Sequence, residues 1–460
     1  MSAPDAEVAV LSASDLATRY RSRSLAPTEV VDALLARIAR LDGTINAWIT
    51  IAAEPARAAA RASTDRHLRG RPLGPLDGVP VGLKDNCDTA GVRTTCGSRI
   101  LGDRVPDRDA VVARRLRDAG AVLLGKTNML EFAYGNVHPD RGQCNNPWDP
   151  GRTAGGSSSG SAAAVAAGMV PLAVGTDTGG SVRIPAAYCG IVGLKPTFGR
   201  VSHQGVFPLS WSIDHVGPIG RTVDDVATLL DVMATEGGGG GPRVPAAAAA
   251  GTLAGVRAGV LRQHLGDDLR SGVRAAFERA LAVFRDAGAV LEDVQLPTWE
   301  HAEAAHILVL APEASQVHAG WLRTRPQDYA PDTLLQLQLG ALLPASAYLS
   351  AQRFRNRMAA EAAAALGRVD VLLSPTVGFV APASDPPLGS ELGQLEGLRT
   401  GAHCLLGLPA VSVPCGTAED GLPAALQVAG GWGRDHQVLG VAAAFLRGCG
   451  WVARLPPELR

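Results

Sequence analysis

At 460 residues, with 46% hydrophobic and 19% charged side chains, the chain can bury a large core and is not a disordered polymer. A net charge of −1 argues against nucleic acid, a membrane surface or any strongly charged partner. Seven scattered cysteines with no Cys-x-x-Cys pair argue against a disulfide framework or a structural zinc, and no metal or other cofactor is expected. The cysteines fit a reduced, cytoplasmic setting, and the opening Met-Ser-Ala-Pro-Asp-Ala-Glu, with no basic stretch before an apolar one, reads as no signal peptide.

Taken in chain order, the first 60 or so residues predict two helices. Ser12 or Ser14 caps the first, and Pro27-Thr-Glu29 opens the second, with Val30, Val31, Leu34, Leu35 and Ile38 at helical spacing. An alanine-rich helix over 54–69 follows, then a short buried strand, Val79-Pro-Val-Gly-Leu-Lys84. A helix over 109–119 and a strand over 121–125 come next. Residues 135–156 hold so many Asn, Pro, Gly and Asp that a loop is predicted. Then come a helix over 161–167, a strand over 169–175 and a tight turn over 176–181. The glycine run from Gly237 to Gly241 predicts a surface connection. Beyond it lie strands over 256–261 and 290–294, a helix over 271–287, mostly helix over 300–365, and strands over 369–374 and 410–414. Alternating strands and helices predict an α/β fold, one large domain with a central sheet. Within it we distinguish an N-terminal helical segment (1–70), a motif-bearing core (71–235), a flexible connection (236–252) and a second half that lines the substrate pocket (253–460).

Only three of the 43 basic side chains are lysines: Lys84, Lys126 and Lys195. Arginine does not lose its proton in a protein, whereas a buried lysine can, so a retained lysine invites a chemical role. The densest chemistry lies in two glycine/serine clusters, Gly155-Gly-Ser-Ser-Ser-Gly-Ser161 and Gly175-Thr-Asp-Thr-Gly-Gly-Ser-Val-Arg183. With one helix and one strand between them, the clusters are expected side by side. The N–H groups of Gly179, Gly180 and Ser181 are expected to converge where an acyl-transfer oxyanion would sit. A serine needs a base to become a nucleophile, and none of the ten histidines stands in a triad context. Lys84, at the end of an apolar strand, is the better base, because burial favours the neutral amine; a second serine would relay the proton.

The runs Gly78-Val-Pro-Val-Gly-Leu-Lys-Asp-Asn86, Gly155-Gly-Ser-Ser-Ser-Gly160 and Asp177-Thr-Gly-Gly-Ser-Val-Arg183 resemble the amidase signature family, as does Pro185-Ala-Ala-Tyr-Cys-Gly-Ile-Val-Gly-Leu-Lys-Pro-Thr197. The resemblance implies a mixed twisted sheet enclosed by helices. It also implies Lys84 as general base, Ser157 as proton relay on a cis peptide, and Ser181 as nucleophile. The competing Gly-x-Ser-x-Gly reading, with Ser158 as nucleophile, requires a strand directly before it, and none is expected at Thr153-Ala-Gly-Gly. Lys126 and Lys195 read as structural, Asp177 and Arg183 as braces of the turn. Thr178 fits either an oxyanion backbone or the turn alone. Cys189 and Cys415 read as core residues.

The family includes stand-alone amidases, carbamate and urea-derivative hydrolases (urethanases among them), and the glutaminase component of the tRNA-dependent amidotransferase. That component grips glutamine with an arginine and an aspartate. This chain has Leu335-Gln-Leu-Gln338 near the first position and Gly397 near the second, with Glu396 one residue away. Tyr134 stands where the glutaminase component typically has methionine. A stand-alone hydrolase of a neutral, apolar or aromatic amide is therefore expected, with Tyr134 and Gly135 in its substrate loop. Phe207, Trp211 and apolar residues of 310–345 are further pocket candidates, although core or lid packing is as good a reading of the two aromatics. A small-molecule amide is the expected partner, and a homodimer is left open. A non-catalytic interaction subunit is the contrasting reading, and the complete Lys84, Ser157 and Ser181 set argues against it.

Overall fold

The computed structural model describes residues 3–235, 252–387 and 389–459. The glycine run at 237–241 lies outside them. Helices cover Ala3–Val10, Ala13–Ser22, Pro27–Ile45 and Ala53–Leu68, one more than the sequence suggested. Ser12, not Ser14, is the cap: its side chain accepts from the Asp15 N–H at 3.0 Å while Asp15 bonds back to the Ser12 N–H.

The strands are β1 (Trp48–Ile51), β2 (Pro80–Lys84), β3 (Val122–Thr127), β4 (Asn145–Asn146), β5 (Asp149–Thr153), β6 (Leu172–Asp177) and β7 (Val192–Lys195). They continue with β8 (His215–Gly220), β9 (Arg257–Leu261), β10 (Val290–Val294), β11 (Val371–Pro375), β12 (Ala410–Thr417) and β13 (Pro423–Ala429). Eleven of them form one mixed sheet in the order β1-β3-β2-β6-β8-β7-β12-β13-β11-β9-β10, as the α/β expectation required. β4 and β5 pair with each other, which corrects the predicted loop at 135–156. A strand does therefore run up to Thr153.

Alternation along the strands separates two cores. Val371 and Leu373 join Phe277, Phe284 and Phe445 in one apolar cluster, while Leu372 between them joins Val309, Leu337 and Met358 in another. Successive side chains of a strand point to opposite faces. Helices Ser271–Asp286 and Asp435–Gly448 thus supply one cluster, and helices Ala302–Thr324, Pro331–Ala341 and Ala345–Leu366 the other.

Two adjacent strands decide where the chemistry sits. β2 and β6 run parallel, with Val81 opposite Leu172 and Leu83 opposite Val174, so their C-terminal ends emerge at the same edge of the sheet. Both are buried throughout, as parallel strands covered on both faces are. The register brings Lys84, the last residue of β2, beside the C-terminal half of β6.

Candidate active site

Lys84 is wholly buried. Its Nζ donates to Ser157 Oγ at 2.8 Å and to Thr176 Oγ1 at 2.9 Å. Burial pulls its pKa down to about 7, against the smaller upward pull of Cys87, Asp177 and Asp214. The other two lysines are equally buried and are also pulled down by burial, Lys195 to about 8. Lys126 donates to the Cys87 carbonyl and to Thr89 Oγ1, and Lys195 to the Pro196 carbonyl at 3.0 Å. All three retained lysines are therefore interior groups, and Lys84 alone of them is bonded to a serine hydroxyl.

Ser157 follows a cis peptide bond from Gly156 and precedes helix Ser159–Ala166, whose residues are all buried. That helix has to be thin: a Cβ on Gly160 would lie 2.3 Å from both the Ala47 carbonyl oxygen and the Asn128 nitrogen. Its small residues are what let it pack against β2, β3, β6 and β8 in the interior of the sheet. The Ser158 N–H donates to the Ser181 carbonyl at 3.1 Å, so the two glycine/serine clusters do lie side by side. Ser158 Oγ is turned to the Thr176 carbonyl at 3.1 Å and is buried. This, rather than a missing strand, removes it as an exposed nucleophile.

The turn after β6 is braced from within. Burial opposes ionisation of Asp177, but the charge and hydrogen bonds of Arg183 overcome it and hold the carboxyl well below the usual range. Arg183 Nε and Nη2 each lie 3.0 Å from an Asp177 oxygen, and both side chains are fully buried. Asp177 Oδ1 also accepts from the Gly180 N–H at 2.8 Å. That corrects one expectation: the Gly180 N–H is engaged inside the turn and does not face a substrate. The signal was present in the sequence, since an aspartate commonly accepts from backbone N–H groups just after it. Among the described residues no acceptor engages the N–H groups of Gly179 and Ser181. Gly180 itself has φ +142°, and a Cβ there would lie 2.4 Å from Thr400 Oγ1, so only glycine fits.

Several contacts to this turn come from far along the chain. Thr178 Oγ1 donates to Asp214 Oδ1 at 2.7 Å, Thr400 Oγ1 to the Gly179 carbonyl at 2.5 Å, and His306 Nε2 lies 2.8 Å from the Thr178 carbonyl oxygen. Sequence reasoning missed Asp214, His306 and Thr400. No local pattern marks them.

Ser157, Thr178, Gly179 and Ser181 line a cavity of about 590 Å³, together with Tyr134 and Gly135. Leu310, Gln336, Leu339 and Leu342 close its other side, so the 310–345 expectation locates the wall correctly. Phe207 and Trp211 do not line it. Phe207 stacks on Trp321 at 6.0 Å and lies 5.0 Å from Phe132, and both Phe207 and Trp211 border a separate space of about 30 Å³. Cys189 is core, and Cys415 is half-buried at its margin.

Likeness to known proteins defines the class: the protein is an amide hydrolase. The Amidase family profile matches residues 29–439, and the chain belongs to that family, the amidase signature enzymes. It is 40% identical over 473 residues to the A-type subunit of the glutamyl-tRNA(Gln) amidotransferase of Symbiobacterium thermophilum, covering 95% of this chain and 96% of that one. Among solved structures, one from a study of a vestigial protein complex and the origins of an s-triazine catabolic enzyme superposes with a TM-score of 0.88. It shares 36% identity and covers 97% of this chain and all of the other. A bacterial aryl acylamidase superposes with a TM-score of 0.85 at 27% identity, covering 96% and 97%.

Proposed function

We propose that the protein is a free-standing hydrolase of a linear carboxylic amide that works through an acyl-enzyme on Ser181. Neutral Lys84 takes the Ser181 proton by way of Ser157 as Ser181 Oγ attacks the carbonyl carbon. The Gly179 and Ser181 N–H groups face the oxygen on which charge develops. As the C–N bond breaks, the relay returns the proton to the leaving amine, and water then cleaves the ester by the same path. The observation that carries this reading is the 2.8 Å bond from Lys84 to Ser157 beside a cavity that both serines line.

The wall supports an amide with an apolar or aromatic body, and aryl esters and carbamates pass through the same kind of oxyanion. Free-standing action is supported by the lining. The α-carboxylate of glutamine calls for a cation, yet among the described residues no lysine or arginine lines the cavity, and Gln336 does. The test is fluorophosphonate labelling mapped by mass spectrometry, together with turnover of anilides, primary amides and aryl carbamates. An adduct on Ser181 and turnover are expected; neither result on any compound would sink the proposal.

A second reading, the glutaminase component of an amidotransferase, is favoured by Glu396. It lines the cavity next to Gly397, where a Cβ would lie 3.9 Å from the Gly179 carbonyl oxygen, and could meet an α-amino group. Ammonia release from glutamine, without turnover of anilides, would establish it.

A further inference from the structure

One face of helix Ala302–Thr324 forms a wall of the cavity: Glu303, His306, Ile307, Leu310 and Ala311 all line it. Their spacing is that of a single helical stripe. His306 fixes the stripe to the reaction centre through the Thr178 carbonyl oxygen, 2.8 Å from its Nε2. Glu303 lies three residues earlier, about 5 Å along the helix axis, on the same cavity. Ile307 and Leu342, 48% and 78% exposed, form the outer part of this wall.

Glu303 has no hydrogen-bond or ion-pair partner among the described residues, and burial alone raises its pKa, to about 7. The second lining carboxylate, Glu396, accepts from the Tyr188 hydroxyl at 2.9 Å. Among the described residues, no lysine or arginine lines the cavity. A carboxylate half-withdrawn from water against apolar side chains is unfavourable until a cation or donor arrives beside it. Helix chemistry accounts for a negative charge in the first turn, but it does not require that charge to face the cavity.

We propose that Glu303 determines specificity, selecting amides that carry a protonated amine on an apolar body away from the scissile bond. The apolar body lies along Ile307, Leu310, Leu339 and Leu342, and the ammonium group meets the Glu303 carboxylate. This rests on the hydrolase reading and names its substrate class.

Two measurements at pH 8, where Glu303 is ionised, test it. In the first, hexylamine and 1-hexanol are titrated calorimetrically into wild type, Glu303→Gln, Glu303→Lys and Glu396→Gln, each checked for an unchanged circular-dichroism spectrum. In the second, kcat/KM is compared for 6-aminohexanoyl and heptanoyl p-nitroanilide. Wild type is expected to favour the amine in both. Glu303→Gln should reduce that preference roughly tenfold, through KM, and Glu303→Lys should invert it. No preference for the amine in wild type, or one that survives both Glu303 variants, overturns the proposal. So does one that only Glu396→Gln removes. An intact amine preference in binding, with neither anilide turned over and no fluorophosphonate adduct on Ser181, supports the cation site and sinks the hydrolase reading instead.

Discussion

The turn that ends β6 and the helices facing it across the cavity are built in opposite ways. In the turn, one carboxylate takes hydrogen bonds from Gly180, Val182, Arg183 and Cys404, and the Asp177 and Arg183 side chains are shut away from solvent. On the facing side, Ile307 and Leu339 are about half exposed, and Glu303 has no partner among the described residues. A satisfied, close-packed turn holds its groups in one geometry, whereas a partly solvated apolar wall tolerates substitution. On the proposed reading, chemistry belongs to the rigid side and selection to the adaptable one, so substitutions on the two sides should fail in different ways.

The largest effect belongs to Lys84, the proposed base. Lys84→Ala is expected to reduce amide turnover by roughly 10⁴-fold. Hydrolysis of a p-nitrophenyl ester should suffer less, because that leaving group needs no proton. Lys84→Arg should be nearly as inactive, since the guanidinium keeps its proton. Equal losses on amide and ester in steady-state assays would remove Lys84 from proton transfer.

Next comes the brace. Asp177→Asn leaves Arg183 buried without its counter-charge and should destabilise the fold by about 3–5 kcal/mol, read by urea denaturation. Because the native carboxyl is held far below its unfolded value, its contribution is present above about pH 4 and is lost as the pH falls through the depressed value. The stabilities of variant and wild type should therefore converge in acid. A gap that persists at low pH would show that the ion pair is not the brace.

The pH profile separates the two sides more finely. With Lys84 near 7, its ammonium form dominates below that pH and cannot accept a proton. The value of kcat/KM for a neutral anilide should rise roughly tenfold per unit below it and level off above. Glu131, Glu303 and Glu396 are pushed up by burial to the same region. A rise that disappears in Glu303→Gln or Glu396→Gln would therefore belong to the wall and not to the base. The smallest effect is on the wall: Leu339→Ala should raise KM for apolar anilides about threefold and leave stability within about 0.5 kcal/mol. A large loss of kcat or of stability would show that the wall is part of the rigid side after all.

Local sequence carried much of the site. Lys84 was marked by an apolar strand and by the scarcity of lysine, and Ser157 and Ser181 by glycines that admit close backbone approach. Strands β2, β3 and β6 were legible as short apolar runs, while β4 and β5 were hidden by loop-forming residues. The aromatic residues were ambiguous: Phe207 and Trp211 lie close in sequence to the turn's partner Asp214 but outside the main cavity, and Phe207 takes the packing alternative.

The sequence by itself determined the fold class, the candidate residues Lys84, Ser157 and Ser181, and the brace of Asp177 and Arg183, because each depends on neighbours a few positions apart. Tertiary structure alone decided what surrounds them. His306 reaches Thr178 across 128 residues and Thr400 reaches Gly179 across 221, and Glu303 looks like any exposed acid at a helix start until its helix packs against the turn. Burial and the meeting of distant segments are properties of the packed sheet, and they set both the pKa of Lys84 and the lining of the cavity.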